Sequence, residues 1–554
     1  MSAKAANNRQ LQATGVAIAS NIVVQILSRG FTFVLGAITL KYLRSSTLLG
    51  IINVRLALLY STLQFLSREP FRRACIGELA KSDNKRSSRI VNTIWLGLLL
   101  SCALSVPLTY VWQLNSPSAE DLAGTETHDY HIAVLLTTAA VLIEMFAEPC
   151  FIYAQAKAIS DHNPKVEVTS VTVKCVLTAI VTFLESAQYQ SGQSSFILGK
   201  MASCQLVASI VSVIYSYTRL CSKACLSPLN FMPRIQSRKD SDDETKLLYR
   251  NLDRESLKLS ASFVSQTFLK QLLTEGERYI MTFFNVISLS EQGIYDVVNN
   301  LGSLAARLVF KPIEDSGYTL FSQSVSRAET LDIRKFYRVQ ENLMLLLKSM
   351  LLLGLIVLTF GYNFVPLIVI YGGDKLNNPL AFKLMRLQLF YTPLLAVNGI
   401  AECFTFASMS SKEIRLHNYC MVMFSFLYLA TIYTTQSTLG SVSFILANSL
   451  IMLARIIFSY KRISAYFAKH DYELRILDAL PSLTTTISLS GVFVFLRVSQ
   501  HYLLDMLQPI SVTFGVILGG WCLVFITHVI MCHEEALVNF SSRLFKSKSS
   551  AKSE

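Results

Sequence analysis

Charge is scarce in this sequence. Only 16% of its 554 residues are Asp, Glu, Lys or Arg, where a soluble globular chain carries about 25%. A soluble chain of this length would divide into two or three domains with polar linkers, and that layout is missing. Also missing is any GxxxxGK[ST] sequence, so no ATP-binding cassette drives the chain. There is no HExxH and no pair of histidines at metal-ligand spacing. No polar stretch is long enough to fold as a catalytic domain. Catalytic residues, a cofactor and a metal are therefore not expected. The eleven cysteines show no framework spacing, and most fall inside apolar runs, as Cys102, Cys175 and Cys522 do. A thiol there acts as a small apolar group, so no disulfides are read. Ten-residue segments of alternating polarity, the mark of a membrane barrel, do not occur. The opening MSAKAANNRQLQATG is polar and lacks a signal-peptide layout, so the first apolar run is expected to insert uncleaved.

What is present is apolar sequence. Hydrophobic residues make up 52% and the mean hydropathy is +0.43. Runs long enough to cross a bilayer as a helix, about 20 residues, recur throughout. The reading is an all-α membrane protein with about 14 transmembrane helices. They are placed at 14–38, 47–66, 89–111, 132–155, 166–185, 195–218, 259–284, 292–321, 341–362, 385–408, 416–434, 440–460, 483–500 and 506–531. The second and eighth are the weakest, because both carry charge. Alternate connections separate the basic residues. One side, which includes both tails, holds about 34 Lys and Arg; the other holds about four, at Lys41, Arg44, Lys375 and Lys383. Basic connections lie in the cytosol, so both termini are expected there, and the acidic loop with Glu120, Asp121, Glu126 and Asp129 is expected on the luminal side. The sole N-x-[ST] sequon, at Asn539, then stays unmodified. The formal charge of +13 reflects this orientation signal and not nucleic-acid binding.

Segment 219–258 is the longest connection and contains SRKDSDDETK. It divides six spans from eight, where a transporter of two six-helix halves carries its tether. The expected organisation is an N-terminal half over 1–218, a cytosolic linker over 219–258, a C-terminal half over 259–460, and two extra helices with a cytosolic tail over 461–554. A weak repeat agrees with it. Gly50-Ile51 matches Gly293-Ile294, and the same offset pairs Arg68 with Lys311. Six spans per half makes this a parallel pseudo-repeat.

Charge within lipid is costly, so it marks either function or a structural pair. It concentrates in four spans. The first carries Arg29. The second carries Arg55 and, at its cytosolic end, Arg68, Glu69, Arg72 and Arg73. The seventh holds Lys270, Glu275, Glu277 and Arg278. The eighth holds Asp296, Arg307, Lys311, Glu314 and Asp315. Arg68 with Arg72, and Arg307 with Lys311, stand four apart and share a helical face. Such basic forks suit a diphosphate, to which arginine offers planar bidentate donors. The competing reading is mutual neutralisation, with Glu275–Arg278 and Lys311–Glu314 as i,i+3 pairs and Arg72 and Arg73 snorkelling at the interface. Pro70 and Pro312 free backbone groups beside these charges, which favours a wet cavity. Elsewhere Glu144, Glu148 and Glu402 are candidates for ion coupling or for pairing with a lysine such as Lys174, Lys200 or Lys348. Arg455 is also isolated.

The segments FLSREPFRRAC (65–75), FLKQLLTEGERYIMTFFNV (268–286), GIYDVVNNLGSLAARLVFKPIEDS (293–316) and AVNGIAECFTFASMS (396–410) resemble the eukaryotic oligosaccharide-translocation family called Rft-one. That family lies within the multidrug/oligosaccharidyl-lipid/polysaccharide flippase superfamily. Matches run in order along nearly the whole chain. Departures are Pro70, Lys311 and Ala401, where alanine, glutamine and threonine are common. The resemblance implies a multi-pass endoplasmic reticulum protein of N-glycan assembly. It would move a dolichol-pyrophosphate-linked heptasaccharide from the cytosolic to the luminal leaflet, with membrane lipid and the N-glycosylation machinery as its surroundings. It also implies a cavity where Arg29, Arg55, Arg68 and Arg307 hold the pyrophosphate, with Glu69, Arg72, Lys270, Glu277, Arg278, Asn299 and Lys311 as further lining residues.

Three other classes remain compatible with the residues. A non-transporting accessory protein that binds lipid-linked oligosaccharide would have the same cavity. An ion-coupled multidrug exporter calls for an acidic cavity, while these four spans lean basic. A membrane glycosyltransferase needs luminal carboxylates after the first span, and KYLRSSTL offers none.

Overall fold

The computed structural model describes residues 30–31, 33–43, 45–118, 127–157, 159, 161–189, 196–224, 227–233, 251–284, 286–324, 333–367, 369, 372–409, 411–468, 476–502, 509–535 and 537, and every regular element among them is helical. In chain order these are α1 (Phe33–Tyr42), α2 (Ser46–Lys81, with a π turn over Gly50–Leu56), α3 (Asn84–Leu114), α4 (Thr127–Ala156), α5 (His162–Tyr189), α6 (Ile197–Ala224) and α7 (Arg254–Phe283). Helix α8 consists of Leu289–Gly302 and Lys311–Ser324 with a π turn over Ala306–Phe310 between them. Then follow α9 (Ile333–Asn363), α10 (Pro379–Ser408), α11 (Ser411–Leu439), α12 (Val442–Ala468), α13 (Leu483–Tyr502) and α14 (Pro509–His533).

Ten of the described helices, α2 to α6, α9 to α12 and α14, are long and apolar enough to cross a membrane. Most of the expected first span lies outside the described residues. Charge holds back α7 and α8, and α13 opens on the polar run LTTT. Large apolar side chains such as Phe426, Tyr433 and Trp521 stand on the outer surface, Trp521 at 71% exposure. Water would penalise such a surface, whereas acyl chains solvate it.

The chain divides into two compact units, Met1–Gly293 and Ile294–Glu554. In the first, α2 packs against α3 and α7, and α4 against α6. Asp129 sits in the first turn of α4 and not in a loop. Its carboxylate accepts the backbone N–H groups of Leu198 and Gly199 at 2.8 Å, capping the start of α6. The other acidic residues of that loop fall outside the described residues. Packing puts α7 in this unit, although the sequence division places it after the linker. The reason is visible at its N-terminus. Asp253 caps α7 through Ser256 N–H at 3.0 Å and accepts Arg86 Nε at 3.0 Å, its own N–H donates to Thr93, and Asn92 donates to the carbonyl of Asn251. The last three of these contacts pin the end of the linker to α3.

At the start of α2, Gly50 and Gly293 lie against one another. A Cβ on Gly50 would stand 2.1 Å from the Leu289 carbonyl oxygen, and one on Gly293 would stand 2.2 Å from that of Ser46. Glycine is required here because the two backbones touch. Ser46 and Ser290 hydroxyls meet beside them at 2.5 Å.

In the second unit, Phe310, Phe321, Phe336, Phe404 and Phe467 form an aromatic core between α8, α9, α10 and α12. Helices α13 and α14 bury Leu489, Val492, Leu496, Cys522 and Ile526 against Leu352 of α9. Buried Glu534 secures them, accepting Ser482 N–H at 2.6 Å and facing Lys348 Nζ at 3.4 Å.

Candidate functional site: a charged cluster and two cavities along α2

Hydropathy ends the second span near residue 66, but the helix continues to Lys81 and Pro70 does not break it. Arg68, Glu69, Arg72 and Arg73 therefore project from a rigid helix. Arg68 and Arg72 face α4, where Glu144 and Glu148 are likewise four apart. Arg72 makes a bidentate bridge to Glu148, Nε–Oε2 2.7 Å and Nη2–Oε1 2.6 Å, and its guanidinium lies 3.4 Å over the Phe151 ring. Arg68 Nη1 stands 3.6 Å from both Glu144 and Glu148, beyond hydrogen-bonding distance. Tyr60 donates to Glu144 and receives Gln64 Nε2 at 3.0 Å. Glu69 bridges Arg73 at 2.8 Å and approaches Lys270 of α7 at 3.7 Å.

Arg68 and Lys270 border one cavity of about 190 Å³ between α2 and α7, together with Ser61, Gln64, Gln271 and Glu275. Further along, Thr62 meets the Tyr279 hydroxyl at 2.6 Å and receives Gln271 Nε2 at 3.3 Å. Beyond that bridge a second cavity, about 510 Å³, is lined by Arg55, the end of α3 and the α7–α8 turn. Arg55 is 4% exposed; its Nη1 donates to the Asn115 carbonyl at 2.8 Å, and its own carbonyl accepts Trp112 Nε1 at 2.9 Å. The π turn around Arg55 widens the helix at that point, a local distortion often found at functional positions.

A model of the Rft protein family matches residues 14–543. The chain belongs to the Rft protein family. It is 34% identical to the Man(5)GlcNAc(2)-PP-dolichol translocation protein RFT1 of Xenopus tropicalis, over 94% of each chain. It is 36% identical to the Mus musculus protein of that name, over 86% of this chain and 85% of the other. Among solved structures, the lipid II flippase MurJ in an inward closed conformation aligns with a TM-score of 0.56 at 15% identity, over 92% of this chain and 98% of that one. An inward-facing multidrug MATE transporter of the MOP superfamily aligns at 0.54 and 12%, over 78% and 94%. These two likenesses show that the chain shares the helical fold of those two proteins.

For this Rft-family chain, the expected site residues fall into separate places. Arg68, Glu69, Arg72 and Lys270 are brought together. Arg55 stands apart at the second cavity. Arg278 bridges Glu275 at 3.2 Å on α7, and Glu277 is half-buried on the same helix. In the second unit, Asn299 accepts Gln388 Nε2 at 3.3 Å and Arg307 Nη2 donates to the Asn300 carbonyl at 2.6 Å. Lys311 pairs with Asp315 at 2.8 Å, an i,i+4 bridge, where the competing reading of mutual neutralisation gave it Glu314. Arg29 lies outside the described residues. Sequence reasoning gives Glu144 and Glu148 lysine partners; the structure gives them arginines. The signal was available, since opposite charges at matching i,i+4 spacing occur near the same end of the second and fourth spans. Tyr60, Thr282 and Gln292 carry no such signal. Glu402, another expected lysine partner, instead holds Arg455 through two bonds of 2.8 Å.

Proposed function

We propose that this chain translocates a dolichol-pyrophosphate-linked oligosaccharide across the endoplasmic reticulum membrane, from cytosolic to luminal leaflet, for protein N-glycosylation. The observation that carries the reading is the identity, over nearly full length, to translocation proteins whose name specifies Man(5)GlcNAc(2)-PP-dolichol. The chain is a transporter in this reading and not an enzyme. Fourteen spans with both termini cytosolic accord with the basic asymmetry of the connections. The parallel repeat is supported by Gly50-Ile51 and Gly293-Ile294, the same pair at the starts of the second and eighth expected spans.

The pyrophosphate is held first by Arg68 and Lys270. Arg72 has committed its fork to Glu148, so its role is to position that carboxylate and the helix face. Glu275 is taken by Arg278, and Glu69, Glu144 and Glu148 offset most of the charge of Arg68, Arg72, Arg73 and Lys270. An anion therefore binds by drawing Arg68 and Lys270 from carboxylates they hold only loosely. Such exchangeable pairing lets the substrate leave as well as enter. The test is cellular. Cells depleted of their own family member and supplied with this chain recover glycosylation of a sequon-bearing reporter, and the Arg68→Gln variant restores it poorly. Failure of the unaltered chain to restore it, when present at normal level in the membrane, overturns the reading.

A further inference from the structure

The 510 Å³ cavity falls within the ~300–1,000 Å³ typical of small-molecule sites, and its lining differs in kind from the charged cluster. Arg55 supplies guanidinium donors. Asn115, Ser116, Thr282, Ser288 and Gln292 supply amides and hydroxyls, and among the described residues no Asp, Glu or Lys borders it. Two of these groups are deeply buried, Thr282 at 3% and Gln292 at 0% exposure. Gln292 Nε2 is satisfied by the carbonyls of Met281 and Ile287 at 2.9 and 3.1 Å. Its Oε1, and the Oγ1 of Thr282, have no hydrogen-bond partner among the described residues. A buried polar atom without a partner costs about 1–3 kcal/mol unless water or a ligand supplies one, and two such atoms stand at the wall of this one cavity.

The chemistry of the lining selects the ligand. A cation finds no carboxylate side chain among the described lining residues. A phosphate would be repelled by the free lone pairs of Gln292 Oε1 and by the Asn115 carbonyl, which already occupies Arg55. A neutral polyhydroxyl compound meets all requirements, because each hydroxyl both donates and accepts. We infer that this cavity is a saccharide subsite in which Gln292 Oε1, Thr282 Oγ1 and Arg55 bind sugar hydroxyls. The inference rests on the substrate reading above and adds the place of the sugar. Arg55 and Arg68 are thirteen residues apart on α2, about 20 Å at 1.5 Å per residue. The pyrophosphate and the distal part of the glycan would occupy the two ends of that interval, on the same α2–α7 surface.

Binding of two lipids by the purified full chain in detergent separates the possibilities: dolichol-pyrophosphate bearing a neutral heptasaccharide, and dolichol-pyrophosphate with no sugar. The variant is Thr282→Val, which keeps the shape and removes a hydroxyl that supports nothing in the protein, so thermal unfolding should match the wild type. Ser116→Ala, on the same wall, is the second variant should the first fold poorly. The expected result is that the wild type prefers the sugar-bearing lipid. Either variant should weaken that lipid about three- to tenfold, the loss of one hydrogen bond, and leave the sugar-free lipid unchanged. Equal wild-type affinity for the two lipids overturns the subsite and leaves the pyrophosphate reading standing, as does a variant that weakens neither lipid or both alike. Binding of neither lipid overturns the function reading and this inference together.

Discussion

Arg72 lies past the end that hydropathy gives the second span, yet it meets Glu148 within the fourth. Glu148 is 4% exposed, and both oxygens are engaged by one guanidinium. Removing one partner of such a pair leaves a buried charge, at about 3–5 kcal/mol, whereas replacing both by apolar groups of similar size is often neutral. Glu148→Gln is therefore expected to lower the thermal midpoint of the purified protein sharply. Arg72→Met with Glu148→Leu should recover most of the loss. If the double variant is as unstable as the single, the pair contributes more than mutual neutralisation. At the same scale the sequence showed where charge would gather but not how it is shared. Arg68 and Arg72 are equivalent by spacing, and both are legible as candidates. Only the position of α4 makes one of them committed and the other available. The unpartnered oxygen of Gln292 was illegible for a deeper reason: a glutamine has four hydrogen-bonding positions, and which are filled depends on a turn that no local pattern specifies.

Helices were the most legible level. Apolar runs of span length recur because each must cover the hydrocarbon core, and ten of the expected spans return as helices of the right length and character. The errors lie at charged ends. A hydropathy window treats Arg68 to Arg73 as an exit from the membrane, yet partner carboxylates on α4 allow α2 to continue to Lys81. Repeat matching found Gly50 and Gly293 but gave no reason for glycine. The reason is contact: each Cβ would enter the opposite backbone at about 2 Å. Gly293→Ala is accordingly expected to destabilise the protein by about 1–3 kcal/mol, the usual cost of overpacking, read as a lower thermal midpoint. Gly30→Ala, where nothing stands within 4 Å, should change little. Equal midpoints for the two variants would mean the α2–α8 approach is looser than described.

On the scale of the whole molecule, family membership and the all-helical fold agree with the sequence reading, while packing groups the helices differently from the linker. Helix α7 belongs with α2 because Arg86, Asn92 and Thr93 hold the linker's end. That grouping sets Lys270 opposite Arg68 and Thr282 near Arg55, so both proposed substrate contacts depend on it. The last two helices, for which the sequence offers bundle closure or the lining of a lipid groove, pack on α9 through an apolar seam and Glu534. The central claim is that this chain itself moves the lipid. Its most direct test is leaflet translocation of dolichol-pyrophosphate heptasaccharide in liposomes containing the purified protein. The account predicts transfer above protein-free liposomes, reduced at least tenfold by Arg68→Gln with Lys270→Gln. Transfer no faster than in protein-free liposomes, by protein that binds the lipid, would contradict it and identify an accessory binding protein.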